Sequence, residues 1–269
     1  MFREDYPTAW AFHRNTSRWP FNMLELPREP GAEPPFKEYL DLPSLPLPRP
    51  ELPEASLKQA LAARLSCRRF SGAAITPQQL STLLAAAYGI QGRLTLGGLE
   101  FLERPVPSGG GLYPLEIYLL IREVADVAPG IYHYAALHHA LEQIAAVRLP
   151  RPLISELFMG QPYLATAAAI AVLVAVVERS LWKYRDRGYR YLLLEAGHVA
   201  QNLNLVAPAL GLGSLNLGGF FDADLAGLLR IDLDREIPLY AVALGVPAGT
   251  DRAELRLSPY QAEPGTAEG

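Results

Sequence analysis

The chain of 269 residues has a single cysteine, Cys67, so no disulfide can close within it. A reducing, cytoplasmic setting follows as the expectation. It has no surplus of positive charge: 24 Lys and Arg against 28 Asp and Glu give a net charge of -4 and a pI near 5.8. Such a balance offers no general attraction to nucleic acid or to an anionic membrane, and neither is expected as a partner. Long hydrophobic runs are also missing. The most apolar segment, Tyr163 to Val177, runs fifteen residues without a charge, short of the roughly 18 to 20 that span a bilayer. Its Val, Ile and Ala content predicts a central strand with its approach. The opening "MFREDYPTAW" lacks the long apolar core of a secretory signal.

Proline, by contrast, is abundant and unevenly placed: 11 of the 24 fall between Pro7 and Pro53. Proline removes a backbone donor and fixes φ, so residues 1–52 are expected to form an extended or irregular extension that wraps a surface. A main domain is expected over residues 53–250, followed by a tail over 251–269. Leucines 57, 61 and 65 are spaced as on a helix, and Pro77 opens a second helix that Gly89 ends. "PLEIYLLIRE" reads as a strand and "GIYHYAALHHALEQI" as two strands about a turn. A long helix is expected from about Tyr189 to Leu210, shortened or kinked by Pro208. A short helix that Asp222 could cap and a last buried strand, "PLYAVALGVP", complete the pattern. Helices surround a few strands without a repeating βαβ rhythm, which predicts an α+β fold with a small, mostly antiparallel sheet.

Three stretches carry chemistry. In "RLSCRRF", Arg64, Ser66, Arg68 and Phe70 alternate, so an extended backbone would turn all four to one side. Two guanidiniums and a hydroxyl converging there suit a phosphate, each charge-assisted bond being worth about 1.5 to 3 kcal/mol. A solvated basic helix end would account for the same residues. "RPVPSGGGLYP" places Pro107 and Ser108 before three glycines, beginning with Gly109 and ending with Gly111. Such a loop lets bare backbone approach a flat ligand, although a flexible turn is the plain alternative. No Gly-Lys-Ser/Thr follows, so it is not a Walker phosphate loop. In "GLGSLNLGGFFD", the glycines end a helix and lack the third member of a dinucleotide fingerprint. Ser214 sits in no nucleophile elbow. Gly218 and Gly219 instead offer backbone N–H groups ahead of a helix.

"SLWKYRDRGYRY" gathers four basic side chains and three tyrosines directly after the apolar run. Lys183 beside Tyr184 is a pair able to move protons. Cys67 reads as structural, since it points away from the proposed phosphate side and no histidine is adjacent. His138 and His139 match no metal spacing. His198, on a largely apolar helix, reads as a packed, hydrogen-bonded residue.

Together these motifs resemble the FMN-dependent nitroreductase superfamily over roughly residues 55 to 247, and within it the SagB-type dehydrogenases that oxidise azolines. The resemblance implies a homodimer with noncovalent FMN. Arg64, Ser66 and Arg68 would meet its phosphate, the loop holding Pro107, Ser108, Gly109 and Gly111 its ring edge, and Gly218 and Gly219 its N5. "WKY…GYRYLLLEAGHVAQNL" is similar to the SagB-type Lys-Tyr pair and its following helix, with Gly197, His198, Gln201 and Asn202. A C-terminal basic residue commonly closes on the phosphate, and Arg252 and Arg256 both qualify. Gly111 and Tyr113 stand where general nitroreductases carry Asn and Gln, which implies a different substrate pocket. The implied reaction takes a proton from one carbon of a small-molecule or peptide-derived azoline and a hydride from its neighbour, with Lys183 or Tyr184 as base. A nitro or quinone reductase fed by NAD(P)H, or a non-catalytic flavin-binding partner in a biosynthetic complex, would share the flavin motifs but give that pair no necessary role.

Overall fold

In a computed structural model, which describes residues 2–17, 34–96 and 99–249, the charge-free stretch becomes a 3₁₀ turn over Pro162–Thr166 and then the strand β7, Ala169–Val176. Every residue of β7 is buried. Its alternate side chains explain why it carries no polar residue. Ala169, Ala171, Leu173 and Ala175 enter one core and Ile170, Val172 and Val174 another, so neither face meets water.

Around β7 runs a seven-stranded sheet in the order β1-β6-β5-β4-β7-β9-β8. Its other strands are β1 Ser44–Pro46, β4 Leu115–Ile121, β5 Gly130–Ala135, β6 Ala140–Ala145, β8 Gly213–Leu217 and β9 Glu236–Gly245. All neighbouring pairs are antiparallel. A separate hairpin joins β2, Gly92–Leu96, to β3, Leu99–Glu103. Helices α4, Pro77–Tyr88, and α7, Asp186–Ala209, cover one face of the large sheet, while α5, Arg151–Leu157, and α8, Asp222–Leu229, cover the other. The α+β expectation holds. The helix over Pro77–Tyr88 starts as expected because Thr76 and Gln79 form a reciprocal capping box and proline occupies its first turn.

Several expectations need correction. The proline-rich arm is not irregular throughout: α1, Phe2–Asp5, and α2, Pro7–Asn15, are helical, with Pro7 in the first turn where its missing donor costs nothing. Residues 44–46 supply β1, which pairs with β6. Phe70 does not share a side with Arg64 and Arg68. It is buried with Cys67 while both arginines are exposed, because the backbone leaves strict alternation after Cys67. Asp222 opens α8 but caps nothing, Phe221 being the N-cap residue. The strand β8 was not foreseen, since "GSLNL" is short and edged by glycine. Pro208 lies one residue from the end of α7, and Gly211, with φ of +74°, turns the chain out of it.

The described arm is fastened to the sheet by buried charge. Glu116 on β4 accepts from Arg179 at 2.6 Å and from the Lys37 amide at 3.0 Å, and faces His133 Nε2 at 3.1 Å. His133 Nδ1 lies 2.7 Å from Glu142, which also accepts from the Tyr39 amide at 3.1 Å. Lys37 pairs with Glu236 at 2.7 Å. An extended segment with few apolar residues is thus held by ionic and backbone hydrogen bonds in place of a core of its own.

Candidate functional site

The glycine loop and the Lys-Tyr pair meet. Helix α6, Glu178–Tyr184, follows β7 and carries Lys183 and Tyr184 in its last turn, where a cation is favoured by the helix dipole. The 3₁₀ turn Gly109–Gly111 lies directly against them. A Cβ on Gly110 would stand 2.7 Å from Tyr184 Oη and 2.8 Å from Lys183 Nζ, and one on Gly109 would stand 3.1 Å from the Tyr191 ring. Gly110 and Gly111 also take φ values of +70° and +67°, so these glycines answer both to space and to backbone conformation. Lys183 Nζ lies 5.5 Å from the centre of the Tyr184 ring, and Tyr184 packs edge to face on Tyr191 with centroids 4.9 Å apart. Arg185, with φ of +52°, breaks α6 from α7. Gly188 lets the start of α7 press on Ser180 and Leu181.

Behind the loop lies a carboxyl group that the sequence reading did not single out. Glu195 on α7 is 2% exposed. It accepts from Ser108 Oγ and from Tyr88 Oη, each at 2.6 Å. Ser108 Oγ accepts in turn from the Tyr113 amide at 2.9 Å, and Tyr88 Oη from the Leu115 amide at 3.1 Å. Burial raises the Glu195 pKa to about 7, against the opposing hydrogen bonds from Ser108 and Tyr88 and the charge of Arg104. Arg104 bonds the Tyr88 carbonyl at 2.5 Å and lies over the Tyr88 ring at 4.2 Å. A glutamate inside "LLLEAGHV" would have been flagged by its place among helix positions that face the core.

The remaining predicted residues lie elsewhere in the chain. Ser66 pairs with Ser214 at the start of β8, with the Cys67 amide bonded to the Ser214 carbonyl at 2.9 Å. Gly218 and Gly219 lie past the other end of β8, Gly219 against Met159. Strand β8 is separated from β4, which the glycine loop enters, by β7 and β9, a distance of about 14 Å by strand spacing alone. One chain therefore does not bring the two groups together. Along β8, Ser214 and Asn216 fall on one side, and Ser214 Oγ and Asn216 Oδ1 are both buried without a hydrogen-bond partner among the described residues. Cys67 is buried against Gly213, where a Cβ would come within 2.6 Å of its sulfur, in keeping with a structural role. Arg252 and Arg256 lie outside the described residues.

The model of the "Nitroreductase family" matches residues 61–246. The chain belongs to the nitroreductase family. Protein MJ1384 of Methanocaldococcus jannaschii, named for the same family, is 35% identical over 196 residues, covering 73% of this chain and 93% of its own. The microcin B17-processing protein McbC of Escherichia coli is 36% identical over 154 residues, 54% of each chain. Among solved structures, a nitroreductase-family protein of Anabaena variabilis superposes with a TM-score of 0.70 at 26% identity, over 88% of this chain and 45% of that one. The Escherichia coli microcin synthetase McbBCD complex, with truncated pro-MccB17 bound, matches at 0.58 and 31% identity over 68% of each chain.

Nitroreductase membership makes the chain an oxidoreductase and implies a flavin. The residues present fit one: the orphaned Ser214 and Asn216 oxygens beside Gly218, and the exposed Gly110 backbone that any side chain would cover, leave polar atoms and flat backbone for a ligand. Two other cations of "WKYRDRGYRY" have a different task. Arg187 bonds the Thr16 carbonyl at 3.2 Å, and Arg190 bonds Thr16 Oγ1 and the His13 carbonyl, each at 2.6 Å. They satisfy the C-terminal end of α2 and dock it beside the site. His198 is exposed, with Leu193 and Leu194 nearby on the same outer side of α7, which corrects the expectation of a packed histidine. His139 bonds Ser81 and Tyr134 at 2.7 and 2.8 Å, and His138 pairs with Glu38 at 2.6 Å. Among the described residues no cluster of His, Cys, Asp and Glu could hold a metal ion, and no helix is long and apolar enough to cross a membrane.

Proposed function

We propose that the chain is an FMN-dependent dehydrogenase of SagB type, which converts an azoline in a peptide-derived heterocycle to an azole and works as a homodimer. The observation that carries this reading is the contact of Gly110 with Lys183 Nζ and Tyr184 Oη. That proximity supports a proton-handling role for the pair beside a loop suited to a flavin edge. A general reductase needs no base there. The names of McbC and of the complex holding truncated pro-MccB17 support a processed peptide as the substrate class.

FMN, when bound, supplies the acceptor for the hydride. Arg64, Ser66 and Arg68 would hold its phosphate, Ser214 and Asn216 would meet its polar side chain, and Gly218 and Gly219 would offer amides to the ring. Lys183 and Tyr184 take the ring proton of the azoline. Either the Tyr184 oxygen or the Lys183 nitrogen accepts that proton. Bare backbone at Gly109, Gly110 and Gly111 lets the planar substrate and ring lie close to that pair.

The two halves of the site are separated within one chain, and a second copy would bring the loop half of one to the phosphate half of the other. The surface for this contact is not α4, as its aliphatic pattern suggests, because Leu80, Leu83 and Leu84 are wholly spent on the core. It is instead α3, Leu57–Ala63, and α7, which touch each other and leave Leu57, Leu61, Leu193 and Leu194 exposed. Sedimentation followed at the flavin absorbance should show colour moving with a species of about 59 kDa, twice the chain mass of 29.5 kDa. A colourless species of the single-chain mass that stays colourless after incubation with FMN would overturn both cofactor and assembly.

A further inference from the structure

We propose that Glu195 is a positioning residue whose carboxylate, by accepting from Ser108 and Tyr88 at once, fixes the loop from Pro107 to Tyr113 and so the backbone of Gly110 against Lys183 and Tyr184. The glycine part of the loop has little else to define it. Its three glycines are conformationally permissive, and its internal hydrogen bonds, Gly111 amide to Ser108 carbonyl at 3.1 Å and Tyr113 amide to Ser108 Oγ at 2.9 Å, both return to Ser108. Ser108 is thus the residue on which the loop's own hydrogen bonds converge, and its hydroxyl ends on Glu195, while Tyr113 at the loop's far end accepts from the Arg104 amide at 3.3 Å. The other Glu195 oxygen is bound by Tyr88, whose hydroxyl also receives the Leu115 amide at the start of β4. The glutamate therefore ties the loop, the strand it leads into and α4 to one point on α7.

That tie depends on both oxygens being acceptors. A protonated acid accepts through one oxygen and must donate through the other, toward a Ser108 or Tyr88 oxygen that already receives an amide N–H, so one of the two bonds has to reverse. The groups facing Glu195 are Tyr88 from α4, Arg104 from the segment after β3, Ser108 from the loop, and Tyr113 packed on Tyr88 with centroids 6.2 Å apart. On α7 itself Tyr191 and His198 are one turn away on either side, and Lys183 approaches the loop from α6. Burial raises this carboxyl to about 7, with hydrogen bonds from Ser108 and Tyr88 and the Arg104 charge opposing. The exchange between the two hydrogen-bond arrangements therefore falls near neutral pH, and the anchored loop belongs to the alkaline side.

The bearing of this anchor on a flavin rests on the function proposed above, whereas its hold on the loop does not, and two measurements separate them. The first is amide hydrogen exchange of the segment from Gly109 to Tyr113, expressed as protection factors, in the wild type and in Glu195→Gln, an isosteric variant fixed in the one-acceptor state. Wild-type protection should fall about tenfold between about pH 8 and about pH 6, the difference between a charge-assisted and a neutral hydrogen bond. The variant should stay flat at the lower value. Equal pH dependence in both proteins, or none in the wild type, would overturn the proposal. The second is FMN affinity by quenching of flavin fluorescence over the same range. The second ionisation of the FMN phosphate, near pH 6, is common to both proteins and cancels in their ratio. A wild-type advantage growing about tenfold toward alkaline pH supports the anchor, and a constant ratio contradicts it. Failure of FMN to bind either protein, with the exchange result as expected, would remove the flavin reading and leave Glu195 as the anchor.

Discussion

Changing Lys183 to alanine and Tyr184 to phenylalanine together is expected to slow reduction of the flavin by an azoline substrate about 10²- to 10⁴-fold, the usual contribution of a general acid-base group, with flavin content unchanged. The pair sits at the end of α6 with its polar atoms beside exposed glycine backbone, partly open to solvent, so neither change opens a core cavity. Arg64→Ala should behave oppositely. It should weaken FMN first and lower the rate only as a consequence, since Arg64 is an exposed residue just after α3 and belongs to the proposed phosphate half of the site. Stopped-flow reduction at saturating FMN separates the two. A double variant of Lys183 and Tyr184 that retains FMN and is reduced at the parental rate would leave the pair with no chemical role.

Replacing Glu116 by alanine should cost about 3 to 5 kcal/mol in denaturant unfolding, the usual penalty for stripping one partner from a buried ionic cluster. The loss leaves Arg179, which is 5% exposed, and one side of the fully buried His133 without an anion, and it frees the Lys37 amide. The pH dependence gives a second readout. Burial opposes charge on His133, but hydrogen bonds to Glu116 and Glu142 outweigh it and raise its pKa above 6.5. Its contribution is complete below 6.5 and is lost as pH rises through the raised folded value. Burial likewise opposes charge on Glu116, but His133 and Arg179 together draw its pKa below 4.5. Its contribution is complete above 4.5 and is lost as pH falls through the lowered folded value. The penalty of Glu116→Ala should therefore be greatest between those two ordinary values and shrink on either side. A pH-independent penalty below 1 kcal/mol would mean that the cluster adds nothing to stability.

Strands β4, β5, β6, β7 and β9 and helices α4 and α7 were legible because their apolar spacing and end signals agree: Pro77 and Gly89 bracket α4, and no charge interrupts β7. The shortest strands and the helix in the arm were not. Strands β1 and β8 have three and five residues, too few for a period to emerge, and their existence depends on the partner strand. Helix α2 was hidden by the proline count of the arm, because a proline in the first turn of a helix is compatible with it. At the site, the glycine triplet and the Lys-Tyr pair were visible as motifs, while their contact depends on how α6 follows β7. Glu195 escaped, although its spacing from Leu192 and Val199 sets it on the core side of α7, because one charge in an amphipathic helix ordinarily faces solvent. Only tertiary packing reveals it between Ser108 and Tyr88. The arginines near Lys183 were legible as a cluster but not as a cap for α2, a contact between residues more than 170 positions apart.

The most direct test of azoline dehydrogenation is a single anaerobic turnover. FMN-loaded protein is mixed with a peptide carrying one thiazoline or oxazoline, and the flavin absorbance and the peptide mass are followed together. The account predicts bleaching of the flavin in step with a product lighter by two hydrogens, one azole formed per flavin reduced, and little bleaching by NADH or NADPH alone. Rapid bleaching by NADH or NADPH, with the azoline unchanged and the flavin indifferent to it, would contradict the account and make the chain a general nitro or quinone reductase.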